Sequence, residues 1–129
     1  MEAIAVLAGG ALGGMARFWL ADLLGGGRHG SFPWGILAVN ASGAVLAGIL
    51  AALPAGTADP ASSLAWQLGV AGFLGSYTTV SSFSLQTLAL LHDGRTVQAA
   101  GNIIASLVLT LGGVGLGWAL ASWAAGSLA

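Results

Sequence analysis

From Thr96 to Ala129 the chain carries no ionisable side chain. A segment that long without charge cannot surround itself with water, and the rest of the sequence is nearly as poor in charge. Of 129 residues, 57% are hydrophobic and 5% are charged, against about 25% charged in an average soluble domain. The chain therefore reads as an integral membrane protein. Its charges are confined to Glu2, Arg17, Asp22, Arg28, Asp59, Asp93 and Arg95. Without a basic surface, nucleic acid is not an expected partner. Cysteine is absent, which removes disulfides and thiolate metal sites from consideration. The N-terminus has Glu2 where a secretory leader has Lys or Arg and runs on into a long apolar stretch, so a retained first helix is expected.

A helix needs about 20 mainly apolar residues to cross the hydrocarbon core. Glycine, proline and charge divide the chain into four such stretches, at about 3–24, 34–53, 64–91 and 97–124, in a single unit covering 1–129. Gly25-Gly26-Gly27-Arg28-His29-Gly30 forms the first loop, and Phe32-Pro33-Trp34 opens the second span with proline in its first turn. Pro54, Gly56, Asp59 and Pro60 mark the next loop, after which Ser62 or Ser63 is placed to cap the third span and, beyond His92-Asp93-Gly94-Arg95, Thr96 to cap the fourth. Trp34, Trp66 and Trp123 lie near span ends, as an aromatic belt requires. Arg28 and Arg95 share one side of the membrane and bias it only weakly towards the cytoplasm, so insertion in both orientations is allowed.

The third span is too long for one upright crossing. Its 28 residues extend about 42 Å at 1.5 Å each, against a core of about 30 Å. Either it tilts or it is interrupted. Gly75-Ser76-Tyr77-Thr78-Thr79 combines a helix-weakening glycine with hydroxyls that bond to nearby backbone, and interrupted membrane helices expose carbonyls that coordinate ions.

From Ser76 to Thr87 the same span is rich in hydroxyl and amide groups, which inside a bilayer must face protein, an ion or an aqueous path. Asn102, Ser106 and Thr110 recur every four residues on the fourth span and share one face, and Asn40 is the strongest polar group of the second. With Ser81, Ser82 and Ser84 these residues form a set of neutral donors suited to an anion; the competing reading is hydrogen bonding between helices, worth about 0.6 kcal/mol per contact. Arg17 lies inside the first span, where an arginine is a functional candidate. It either concentrates anions in a vestibule or pairs with Asp22 or a helix end. Gly9/Gly13, Gly10/Gly14 and Gly113/Gly117 each place two glycines on one face, which serves packing within a subunit or assembly between subunits. Four spans scarcely enclose a water-lined path alone, so an oligomer is expected, with the polar stretch of the third span near its interface. His29 and His92 have no ligand companions in their loops. No acidic residue sits well inside a span, which favours passive conduction over proton-coupled exchange. No nucleophile–base pair, phosphate loop or metal cluster suggests an enzyme.

In its ordered motifs the chain resembles the CrcB/Fluc fluoride channels. The resemblance rests on Gly13-Gly14-Met15-Ala16-Arg17, on Pro33-Trp34-Gly35 through Val39-Asn40, on Gly72-Phe73-Leu74-Gly75 running into Thr78-Thr79-Val80-Ser81-Ser82-Phe83-Ser84, and on 101–110. It implies an all-α membrane protein of four transmembrane helices, the third broken near its middle, assembled as an antiparallel, dual-topology homodimer in the cytoplasmic membrane. It further implies two fluoride pores and a structural sodium ion held by backbone carbonyls of Gly75 and Thr78 from both subunits, neutral oxygens that suit a hard cation. Asn40 would lie along the pore, Ser81 and Ser82 on its polar track, Ser106 and Thr110 on the fourth helix, and Arg17 at a vestibule.

The family presents two phenylalanine ring edges to fluoride, an electrostatic use of the aromatic quadrupole. Here Phe83 fills the second position and Val80 stands at the first. Ser76 also replaces a common second glycine, and Asn102 takes a place that can be aromatic. The expected function is passive fluoride efflux that protects the cell from fluoride accumulated as the weak acid. The alternative is a small dual-topology multidrug transporter, which needs a carboxylate in its first span, where this chain has Arg17. A second rival is a non-transporting assembly protein that uses its glycines and hydroxyls for packing.

Overall fold

The computed structural model describes residues 1–25, 32–52 and 63–126. Arg28, His29, Pro54, Gly56, Asp59, Pro60 and Ser62, which carry the expected loops and one possible cap, lie outside the described residues. The described chain is all-helical. Helix α1 spans Glu2–Leu23 and α2 spans Trp34–Ala52. The third stretch, α3 (64–77), starts as one turn, Leu64–Trp66, widens into a π-helix over Gln67–Leu74 and closes with Gly75–Tyr77. Two extended residues follow, and the chain resumes as α4, Val80–His92, and α5, Thr96–Gly126. Helices α1, α2 and α5 are each long and apolar enough to cross a membrane.

The helix ends follow local chemistry. Ser63 supplies the third-span cap, its Oγ accepting from Trp66 N at 3.2 Å. Thr96 is itself the first helical residue of α5 rather than its cap. Between α4 and α5, Gly94 adopts φ 73°, a left-handed conformation that a side chain disfavours. There Gly94 N donates to Leu91 O at 3.0 Å and Arg95 N to Leu90 O at 2.8 Å, which satisfies the last carbonyls of α4 within a short turn.

Glycine determines which helices meet. A Cβ on Gly9 or Gly13 would collide with the Leu68 or Phe73 carbonyl, and one on Gly72 would lie 2.6 Å from Val6 O. Helix α1 therefore lies backbone to backbone on the π-helical part of α3. On the other side of the molecule, Gly48 faces the Val114 carbonyl and Gly117 faces that of Val45, so α2 and α5 interlock in the same way. In both pairs the contacting residue numbers rise together, so the partners run in the same direction. Both expected pairs with buried members, Gly9/Gly13 and Gly113/Gly117, thus serve packing within the chain.

The interior consists mainly of small residues, including Ala5, Gly9, Gly13, Gly43, Ala44, Ala99 and Ser106, whereas Leu7, Phe18, Trp19, Leu111 and Leu116 point outwards. That inversion suits a chain surrounded by lipid, where close backbone packing rather than burial of large side chains holds helices together.

Candidate functional site at the interruption of the third helix

The sequence places a capping threonine where α3 ends. Thr78 has φ −78° and ψ 154°, and Thr79 has φ −153° and ψ 122°, both extended. Val80 then starts α4. A threonine in extended conformation before a helix uses its hydroxyl to satisfy a first-turn N–H, and Ser82 N donates to Thr79 Oγ1 at 3.2 Å. Thr78, one residue earlier, turns its own hydroxyl back to Leu74 O at 2.9 Å.

Asn40, on α2, reaches across to this gap. Its Nδ2 donates to Thr79 O at 2.9 Å, and its Oδ1 accepts from Thr79 N at 2.8 Å. The side chain thereby pairs with both main-chain groups of one extended residue, as a neighbouring strand would. Gly43, one turn along, lets α2 come this close, since a Cβ there would collide with the Thr78 methyl group. Tyr77 completes the attachment. It is buried, stacks on Phe73 at a centroid separation of 5.5 Å and shares a 2.8 Å hydrogen bond with Ser42 Oγ.

Polarity can be followed through the hydroxyls. Thr79 has one hydroxyl proton and gives it to Ser82 Oγ at 3.2 Å, so the 3.0 Å contact between Thr79 and Ser81 has Ser81 as donor. The Ser82 proton is left for another acceptor. Asn40 likewise keeps one Nδ2 proton after bonding to Thr79 O.

These spare donors border different spaces. An open cavity of about 660 Å³ is lined by Asn40, Gly75, Thr78, Thr79, Val80 and Thr110, among others. A second, of about 300 Å³, is lined by Asp22, Ser82, Gln86 and Phe18 together with Ala21, Ile36 and Leu85. The structure brings Asn40, Gly75, Thr78, Val80 and Thr110 together around the large cavity, whereas Ser82, though bonded to Thr79, borders the smaller one. Val80 is 77% exposed at the first cavity. Phe83 and Arg17 are half-buried on α4 and α1, and neither borders either cavity.

The polar stripe of α5 divides. Thr110 borders the large cavity while its hydroxyl donates to Ser106 O at 2.6 Å. Ser106 is buried, and Asn102, only 2% exposed, donates to Thr87 Oγ1 at 2.9 Å. Thr87 in turn donates to Phe83 O at 2.7 Å. Asn102 therefore fastens α5 to α4, the interhelical alternative for that residue. Sequence reasoning passed over Ser42, Tyr77 and the capping role of Thr79; of these, only the threonine three residues before Ser82 carries a recognisable signal.

Three helices of membrane-crossing length around a cluster of neutral hydrogen-bonding groups define a polytopic membrane protein rather than a soluble domain. Residues 4–118 match the family described as CrcB-like protein, Camphor Resistance (CrcB), and the chain belongs to that family. It is 49% identical over 117 residues to the fluoride-specific ion channel FluC 2 of Rhodopseudomonas palustris, covering 90% of this chain and 89% of the relative. It is 43% identical over 122 residues to FluC 2 of Bradyrhizobium diazoefficiens, covering 92% and 87%. To the fluoride-specific ion channel FluC of Rhodospirillum rubrum it is 44% identical over 118 residues, covering 91% and 92%. The family resemblance read from the ordered motifs is thus confirmed.

Proposed function

We propose that this chain is the subunit of a passive, fluoride-selective channel in the cytoplasmic membrane, built as an antiparallel homodimer with two pores. The observation that carries this reading is near-full-length identity of 43–49% to three proteins named as fluoride-specific channels, joined to the chemistry at the interruption. Fluoride is a small, strongly hydrated anion that requires hydrogen-bond donors in place of water. Asn40 keeps one amide proton beside the large cavity, and Thr110 borders the same space. Ser81 and Ser82 continue the polar surface along α4, with Ser106 beneath Thr110 and the Phe83 ring edge as a further electropositive contact. Val80 leaves the first aromatic position without a quadrupole, so Phe83 and the unused protons of Asn40 and Ser82 carry the anion, the hydroxyl protons of Ser81 and Thr110 being already given to Thr79 and to Ser106 O. Arg17 raises the anion concentration at the vestibule.

The large cavity is open on one side in a single subunit, and the second copy closes it in this reading. A structural sodium ion fits there. Gly75 and Thr78 both border the cavity and offer uncharged carbonyl oxygens, the donor type that a hard cation prefers. Bound there, the ion would hold the two interrupted helices against each other.

Fluoride efflux from liposomes containing the purified protein tests the proposal. Fluoride-specific flux from an intact dimer is expected; an intact dimer without it would overturn the assignment.

A further inference from the structure

An uninterrupted α-helix returns each N–H to the carbonyl four residues earlier. By that rule the Thr79 N–H belongs to Gly75 O, and the Ser82 N–H belongs to Thr78 O. Neither goes there. Thr79 N donates to Asn40 Oδ1 at 2.8 Å, and Ser82 N donates to Thr79 Oγ1 at 3.2 Å. The two diverted donors are those that would otherwise occupy the carbonyls of Gly75 and Thr78.

From this we infer that Asn40 and Thr79 are positioning residues that hold the Gly75 and Thr78 carbonyls open as acceptors, by giving the competing N–H groups side-chain partners instead. The inference rests on the sodium reading above but concerns different atoms. Two features make the arrangement selective. Asn40 also donates to Thr79 O at 2.9 Å, which locks the residue in its extended conformation and keeps the helix from closing. Thr79 acts from within the gap, and Ser81 and Ser82 together satisfy its hydroxyl, so the cap does not depend on an outside ligand. Meanwhile Gly75 and Thr78 both border the 660 Å³ cavity, the space into which carbonyls left without helical partners would open.

The role differs from pore lining in what it predicts. Sodium affinity is read from the rise in thermal stability of the purified dimer as sodium chloride replaces N-methylglucamine chloride at constant ionic strength. If the wild-type protein shows no such rise, the sodium reading itself falls. Given the rise, Thr79→Ser keeps the capping hydroxyl and is expected to bind sodium like the wild type. Thr79→Val and Asn40→Leu, which release one N–H each to a ligand carbonyl, are expected to bind it about tenfold more weakly. Wild-type affinity in both of the latter variants overturns this inference and leaves the sodium reading standing. Should either variant fail to assemble, the wild-type protein decides through infrared spectra with isotope-labelled Gly75 and Thr78 carbonyls. Bands of unbonded carbonyls before sodium is added support the inference; helix-bonded bands overturn it.

Discussion

At the scale of single residues, position in the sequence and role in the site part company at Asn102 and Val80. Asn102 shares a helical stripe with Ser106 and Thr110, yet it is buried and donates to Thr87 Oγ1 on α4. Replacing it with leucine would leave Thr87 Oγ1 without its donor and lose an interhelical hydrogen bond worth about 0.6 to 1.7 kcal/mol in a membrane. Asn102→Leu should therefore lower resistance to unfolding in detergent while the ratio of fluoride to chloride flux stays unchanged. An altered ratio would return Asn102 to the anion path. Val80 presents the opposite case. With 77% of its surface exposed at the cavity, it has room in the subunit for a larger side chain, and Val80→Phe should preserve or raise fluoride efflux from liposomes. A loss of efflux would mean that the opposing surface has been reshaped around valine.

Helical elements meet here through missing side chains. Gly117 lies against the backbone of Val45 and Ile49, whereas Gly115, two residues away, has open space around it. Overpacking a tight contact costs about 1 to 3 kcal/mol. Gly117→Ala should lower the free energy of unfolding by that order, and Gly115→Ala should leave stability close to that of the parent chain. The same comparison distinguishes the third stretch, where π-helical winding over Gln67–Leu74 lets Gly72 meet α1. Helix existence was legible in the sequence because apolar runs of membrane length have few other ways to satisfy their backbone. An interruption over 75–79 was one of two ways the sequence offered to accommodate an overlong span; in the structure Gly75–Tyr77 stays helical and only Thr78 and Thr79 are extended. Its π-helical approach was not legible, since no residue pattern in the segment distinguishes that winding from an ordinary helix.

At the scale of the whole molecule, the outward-facing leucines and tryptophans leave every helix except its small-residue face for lipid or for another subunit. The proposed antiparallel dimer makes a prediction that the composition helps to test. Because the chain contains no cysteine, a single Asp93→Cys substitution in the α4–α5 turn provides a unique label. In intact cells about half of the population should react with a membrane-impermeant thiol reagent, and the rest only after permeabilisation, as two opposite insertions require. Complete reaction, or none, before permeabilisation would exclude dual topology. Stability should likewise depend on protein concentration in detergent, since an obligate dimer is held by mass action.

Sequence alone determined that this chain belongs in a membrane, roughly where its helices run, and that its neutral polar groups cluster on the third span with counterparts at Asn40 and Thr110. These follow from the high cost of burying charge or unpaired backbone in hydrocarbon, a constraint that acts on residue types locally. Only the tertiary structure decided which of those groups meet. Asn40 and Thr79 are 39 residues apart, and no periodicity relates them. Their pairing exists because Gly43 lets α2 approach an extended threonine whose own helix partners have been given up.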